Sequence, residues 1–195
     1  LPGSGKYIRN VILDPAASLC IVEVHAAGTK FRSVWGLTQG GRPTSELPTH
    51  LMNHSIKKEL TGGKHRVILH AHTTNVIALT FVLPLKDEVF TRELWEMATE
   101  CPVVFPEGVG VAPWMVPGGR DIALATAELM KQYNVAIWAH HGIFCSGADF
   151  DETFGLMDTV EKSAEILVKV LSMGGKRQTI TAQNFRDLAV DFKVT

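Results

Sequence analysis

The sequence predicts an α/β protein built in packed layers. Short β-branched runs alternate along the chain with stretches whose apolar residues recur at helical spacing. The 195 residues are 46% hydrophobic and 20% charged, enough for one substantial core. No apolar run reaches the length of a membrane span.

Taken in order, residues 19–25 (LCIVEVH) and 30–35 (KFRSVW) read as two strands around "AAGT", a hairpin signal. Residues 45–59 read as a helix with Leu47, Leu51, Met52 and Ile56 on one stripe. Pro48 is tolerated only in a first helical turn, where backbone N–H groups have no intrahelical acceptor. That makes Thr44 or Ser45 the N-cap and puts Glu46 in the first turn, at the positive end of the helix dipole. Residues 66–72 form a short strand, and Thr73 or Thr74 opens the next helix. Residues 87–99 read as helical and "CPVVFP" (101–106) as a short strand. A helix at 119–132 leads into the strand "VAIWAHH" (135–141), and "GIFCSG" turns and returns as another strand. The longest helix covers 151–172, with Phe154, Met157, Val160, Ala164, Leu167 and Leu171 in its apolar stripe, and a last helix covers 181–192. With no repeat or clear linker, the chain reads as a single domain, 1–195.

The net charge of −1 provides no global basic field for nucleic acid and no polybasic membrane tag. Cys20, Cys101 and Cys145 are widely spaced and odd in number, which argues against a disulfide framework or a cysteine zinc site and fits a reducing, cytoplasmic setting. The opening "LPGSGKYIRN" lacks Met and reads as the middle of a longer protein. Its "GSGK" resembles the tail of a P-loop, but Tyr7 stands where Ser or Thr should bind magnesium, and no strand precedes it.

Chemistry centres on the histidines. His25, His54 and His65 lie in polar or turn-like surroundings and read as solvated. His50 and His54 share a helix face, but Leu51 stands where a zincin motif needs Glu, so the pair reads as surface or supporting residues. His70 and His72, in "RVILHAHTTNVIALT", are two apart in a strand and point to one face, where they can chelate a divalent metal or form a hydrogen-bonded core pair. "WAHHG" (138–142) ends a second apolar strand, and alternation lets only one of His140 and His141 join the first pair. Three histidines with an open position describe a catalytic zinc site, which favours the metal. Such a site needs a base. Glu46 is a candidate, though the local sequence alone favours reading it as simply a stabilising acid at a helix start. The same helix start, with the Thr44 and Ser45 hydroxyls, can bind phosphate. Glu100 reads locally as a turn acid, and the four tryptophans as core or interface residues.

Long strings carry a resemblance. "WGLTQGGRPTSELPTHLMNH", "RVILHAHTTNVIALTFVL", "FTRELWEMATECPVVFPEGVGVAPWMVPG", "WAHHGIFCSG" and "DETFGLMDTVEKSAEILVKVLSMGG" are similar to the zinc-dependent (class II) aldolase/epimerase family, over essentially the whole chain. "PWMVPG" and the string around "EKSA" resemble its rhamnulose-phosphate branch. The resemblance implies a three-layer α/β/α sandwich with a central, mainly antiparallel sheet. It implies one Zn²⁺ per subunit held by His70, His72 and His141, the last chosen because the family's ligand immediately precedes a glycine. Glu46 corresponds to the acid/base. Glu100 resembles a second acid, supplied across a subunit boundary, that handles the aldehyde end of the substrate. Ser4 and Gly5, with Thr44 and Ser45, resemble part of a phosphate pocket. The implied partners are a phosphorylated ketose and three further copies in a homotetramer with fourfold symmetry. The implied reaction is reversible cleavage of L-rhamnulose 1-phosphate to dihydroxyacetone phosphate and L-lactaldehyde. The family's N-terminal helix and Gly-Asn turn are expected to be missing from this chain. The competing readings are a pentulose-phosphate 4-epimerase or other aldolase on the same fold, an adducin-like interaction domain, and a zinc hydrolase. The full histidine set with Glu46 argues against the interaction domain.

Overall fold

The computed structural model describes residues 1–26 and 28–194. Ala27, in the expected "AAGT" turn, and Thr195 lie outside the described residues. The chain divides into two compact units, Leu1–Pro48 with Pro117–Gly119, and Thr49–Val116 with Arg120–Thr195.

In the smaller unit, Asp14 caps the short helix α1 (Pro15–Ser18) by accepting the Ala17 N–H at 2.9 Å. Strands β1 (Cys20–Val24) and β2 (Phe31–Gly36) then form the expected antiparallel hairpin, with a register shift between Ile21 and Val22. A second, shorter pairing ties the start of the chain to the segment before helix α2 (Leu47–Leu60). The Ser4 N–H donates to the Arg42 carbonyl at 2.8 Å, and the Thr44 N–H donates to the Pro2 carbonyl at 3.0 Å. Gly3–Lys6 is a β-turn, closed by the Lys6 N–H on the Gly3 carbonyl, and Gly5 takes the left-handed φ of +71° that its third position demands.

The larger unit is an α/β/α sandwich. Its sheet runs β3 (Val67–Ala71), β6 (Gly142–Gly147), β5 (Val135–Trp138), β4 (Gly110–Ala112) in spatial order. The β3–β6 and β6–β5 pairs are antiparallel and β5–β4 is parallel, so the sheet is mixed and mainly antiparallel. Strand alternation sorts its side chains into two cores. Val111, Val135, Ile137, Ile143 and Cys145 face helices α3 (Thr74–Leu79), α4 (Asp87–Trp95), α5 (Cys101–Val104) and α7 (Phe150–Ser172). Ile68, Ala112, Ala136, Trp138 and Phe144 face the other way, toward Ile56 of α2 and Ile122 of α6 (Arg120–Leu129). Helix α8 (Ala182–Asp191) closes the chain with a Thr181–Asn184 capping box.

Several expectations are corrected. "CPVVFP" is helix α5, not a strand: Pro102 sits in the first turn, where it costs no hydrogen bond, and Phe105 returns its N–H to Cys101. The three-residue strand β4 was not expected. Helix α2 begins at Leu47, so Glu46 sits just before it rather than in its first turn. Its buried face is the polar one, Thr49, His50, Asn53 and Lys57, while Leu51, Met52 and Ile56 are only half-buried. Lys57 is accommodated because its Nζ donates to the Tyr133 carbonyl (2.8 Å) and to Asn134 Oδ1 (2.7 Å). In α7, Met157, Val160, Ala164 and Leu167 are buried, but Phe154 and Leu171 point to solvent, and Thr153, Leu156 and Ser163 complete the stripe.

Candidate metal centre

By strand parity His70 and His72 project on the same face of the sheet as Ile68, beside Phe144 and Trp138. His70 is held twice by β6. Its Nδ1 donates to the Ile143 carbonyl at 2.9 Å, and its ring stacks on Phe144, centroids 4.1 Å apart at 16°. The Nδ1 proton fixes the tautomer in which Nε2 carries the lone pair. His72 follows the last residue of β3, its ring 5.3 Å from that of His70.

The third histidine comes from the turn between β5 and β6. His141 stands 4.7 Å from His72 and 5.3 Å from His70, centroid to centroid. Its Nε2 lies 3.1 Å from His72 Nε2. Glycine at 142 makes this approach possible, because a Cβ there would sit 2.2 Å from the carbonyl oxygen of Ala71, the residue between the first two histidines. His140 turns the other way. Its Nδ1 and its backbone N–H each lie 3.0 Å from the Thr80 hydroxyl, and its ring packs on Phe81. The turn after β5, with His140 at φ of +62°, sends the two neighbours apart, and His141 joins the pair.

The ligating nitrogens of the three histidines lie within 4.8 Å of one another, a group that can hold a metal ion. Tetrahedral zinc with Zn–N bonds of about 2.0–2.1 Å sets its nitrogens about 3.3 Å apart, close to the His72–His141 spacing. Two lone pairs facing each other at 3.1 Å share one proton at most, whereas a cation uses both. His72 is exposed and the other two are half-buried.

The remaining candidates lie as follows. Glu46 is half-buried at the end of the smaller unit, and its N–H reaches Thr44 Oγ1 at 3.4 Å. Ser4 and Gly5 lie toward one end of the short pairing in that unit, and Thr44 and Ser45 toward the other. Glu100 is exposed at the N-cap of α5 and makes no capping bond. His50 is buried, edge-on to Phe144 at 5.3 Å, so it is not a surface residue. Burial lowers the pKa of His54, and it lowers that of His65, whose Nδ1 meets Ser146 Oγ at 3.0 Å, so neither is simply solvated.

Two supporting residues escaped the sequence reading. Thr73 is the N-cap residue of α3, as expected, but its side chain makes no capping bond, and Glu161 of α7 supplies the acceptors instead: its carboxylate accepts the backbone N–H groups of Asn75 (2.9 Å) and Val76 (3.1 Å) and the Asn75 side-chain amide (2.8 Å). Thr80, at the other end of α3, holds His140. Both bridge more than fifty positions, and no local pattern marks them.

The family model for the class II aldolase and adducin N-terminal domain matches residues 10–168. The chain belongs to that family. It is 58% identical over 193 residues to a rhamnulose-1-phosphate aldolase of Mannheimia succiniciproducens, covering 99% of this chain and 71% of that protein. It is 57% identical over 192 residues to one of Klebsiella pneumoniae, covering 98% and 70%. Among solved structures, a sugar-phosphate aldolase from Thermotoga maritima superposes with a TM-score of 0.78 at 30% identity, over 90% of this chain and 72% of that one. This class II aldolase therefore carries a three-histidine group on one face of its sheet.

Proposed function

We propose that this chain cleaves L-rhamnulose 1-phosphate reversibly to dihydroxyacetone phosphate and L-lactaldehyde in rhamnose breakdown, with Zn²⁺ held by His70, His72 and His141. The observation that carries the reading is the convergence of these three histidines in a chain more than half identical to rhamnulose-1-phosphate aldolases. Bound zinc supplies a Lewis acid for the substrate's ketone oxygen.

The residues do the rest. In cleavage the C4 hydroxyl passes its proton to a carboxylate at the aldehyde end, the place given to Glu100, the C3–C4 bond breaks, and its electron pair stays on C3 while C4 leaves as the aldehyde. Glu46 delivers the proton that C3 then needs, and in synthesis removes it. Glu46 stands four residues before His50 in the sequence, and the His50 ring meets the Phe144 that also stacks under His70. Ser4 and Gly5, with Thr44 and Ser45, hold the phosphate through the Ser and Thr hydroxyls and the Gly5 and Ser45 N–H groups, the Ser4 and Thr44 N–H groups being bonded to the Arg42 and Pro2 carbonyls, so that a remote part of the substrate orients the reacting carbons. Glu100 serves the aldehyde end from a neighbouring subunit of a fourfold homotetramer. Its exposure fits a role outside its own subunit, and exposed Trp114, Phe150 and Phe154 offer apolar surface of the kind an oligomer covers. Among the described residues no helix is long and apolar enough to cross a membrane, and the three free cysteines suit a cytoplasmic enzyme.

The test is a retro-aldol assay on L-rhamnulose 1-phosphate, run with metal-loaded and chelator-treated protein. Lactaldehyde released only by the loaded form is expected. A C4 epimer in place of lactaldehyde would move the chain to the epimerases of this fold.

A further inference from the structure

We infer that Thr80 is a positioning residue for the metal centre: its hydroxyl holds the left-handed turn that carries His141. The inference rests on the reading of His70, His72 and His141 as metal ligands.

His140 has φ of +62°, a conformation that L side chains avoid. The His141 N–H donates to the Trp138 carbonyl at 3.1 Å, closing a β-turn in which His140 is the third residue. That position with positive φ favours glycine or asparagine. A histidine persists there only if its surroundings over-determine it. They do so through one buried hydroxyl. Thr80 Oγ1 donates its proton to the Ile77 carbonyl at 2.6 Å. It is therefore left to accept from the His140 N–H and from Nδ1, each at 3.0 Å, which places a proton on Nδ1. Phe81, the next residue, packs its ring on the imidazole at 4.1 Å.

Thr80 is itself anchored. It ends α3, which opens two residues after His72 under the Glu161 cap and buries Val76 and Leu79 against Val160, Ala164 and Leu167 of α7. One short helix thus starts beside one ligand and ends on the turn that presents another. Without the hydroxyl, the turn relaxes toward negative φ, and His141 leaves its 3.1 Å approach to His72.

The experiment measures Zn²⁺ affinity by chelator competition and Co²⁺ absorption in the full chain. The variants are Thr80→Val, Thr80→Ala, Thr80→Ser, Thr80→Val/His140→Gly and His72→Ala. Thr80→Val and Thr80→Ala are expected to lose about ten-fold in affinity, the usual scale for a residue that orients a ligand, with an altered Co²⁺ spectrum. Thr80→Ser keeps both, because the hydroxyl remains. The double variant recovers affinity, because glycine accepts positive φ untethered. Thr80→Ala poses the same question with no methyl to fit in the hydroxyl's place, should Thr80→Val fold poorly. Wild-type affinity and spectrum in Thr80→Val or Thr80→Ala, or equal losses in Thr80→Ser, overturn the inference alone. Equal affinity in wild type and His72→Ala overturns the metal-centre reading and the inference with it.

Discussion

In the proposed mechanism Glu46 and the histidines divide the work, and single substitutions separate them. Glu46→Gln keeps the carbonyl oxygen but not the proton. It is expected to bind metal as the wild type does while turnover falls about 10²–10⁴-fold. Wild-type turnover in the loaded variant would remove Glu46 from the base role. His141→Ala is expected to release metal on dialysis, whereas His140→Ala, which keeps the backbone bond to Thr80, retains most of it. Metal analysis after dialysis decides, and the reverse order would exchange their roles. His70 and His72 were legible as a same-face pair in an apolar run, where buried imidazoles are costly, whereas between His140 and His141 the residues left the choice open and only the family resemblance picked His141. Glu161 and Thr80 were not legible. Their partners, Asn75 and His140, lie 86 and 60 positions away, and each reads locally as an ordinary helix residue.

At the scale of elements, the β3–β6 ladder decides whether the centre forms. It pairs His70 with Phe144 and brings the backbone of Gly142 against Ala71. Gly142→Ala would drive a methyl into the Ala71 carbonyl. It is expected to cost about 3 kcal/mol in denaturant unfolding and to weaken metal binding with it. A stable, metal-binding variant would show that the two strands can part without disturbing the centre. Most elements were legible from periodicity and punctuation: the hairpin, α7 and β6 lie close to where the pattern puts them, but β5 ends at Trp138 rather than running to His141, so His140 and His141 fall in the turn. Failures came where local and tertiary signals part. "CPVVFP" carries β-branched residues, yet its Pro102 suits a helix start and the tertiary packing selects α5. Strand β4 is three residues held by parallel pairing to β5, which nothing in "GVA" announces. The buried polar face of α2 was hidden because Lys57 finds its acceptors near residue 134.

For the molecule as a whole, Lys57 makes stability depend on pH. Burial pushes its amine from 10.5 down to about 8, against the pull of Glu107 in the other direction. Between those two pH values the unfolded chain binds more protons than the folded one, so this contribution to stability rises with pH across that window. Denaturant unfolding of wild type and Lys57→Met at pH 7.5 and pH 10 (about the two ends of the window) is expected to show the rise in the wild type alone. Identical slopes would mean the amine is hydrated.

The 3.1 Å approach of His72 to His141 joins residues 69 positions apart, so no local peptide can reproduce it. An ion taken up there binds the folded chain and not the unfolded one, and mass action then couples folding to supply. At free zinc a thousand-fold above Kd the native state gains about 4.1 kcal/mol. The melting temperature of this protein should therefore climb with the logarithm of free zinc, making thermal stability a gauge of metal availability as well as of sequence.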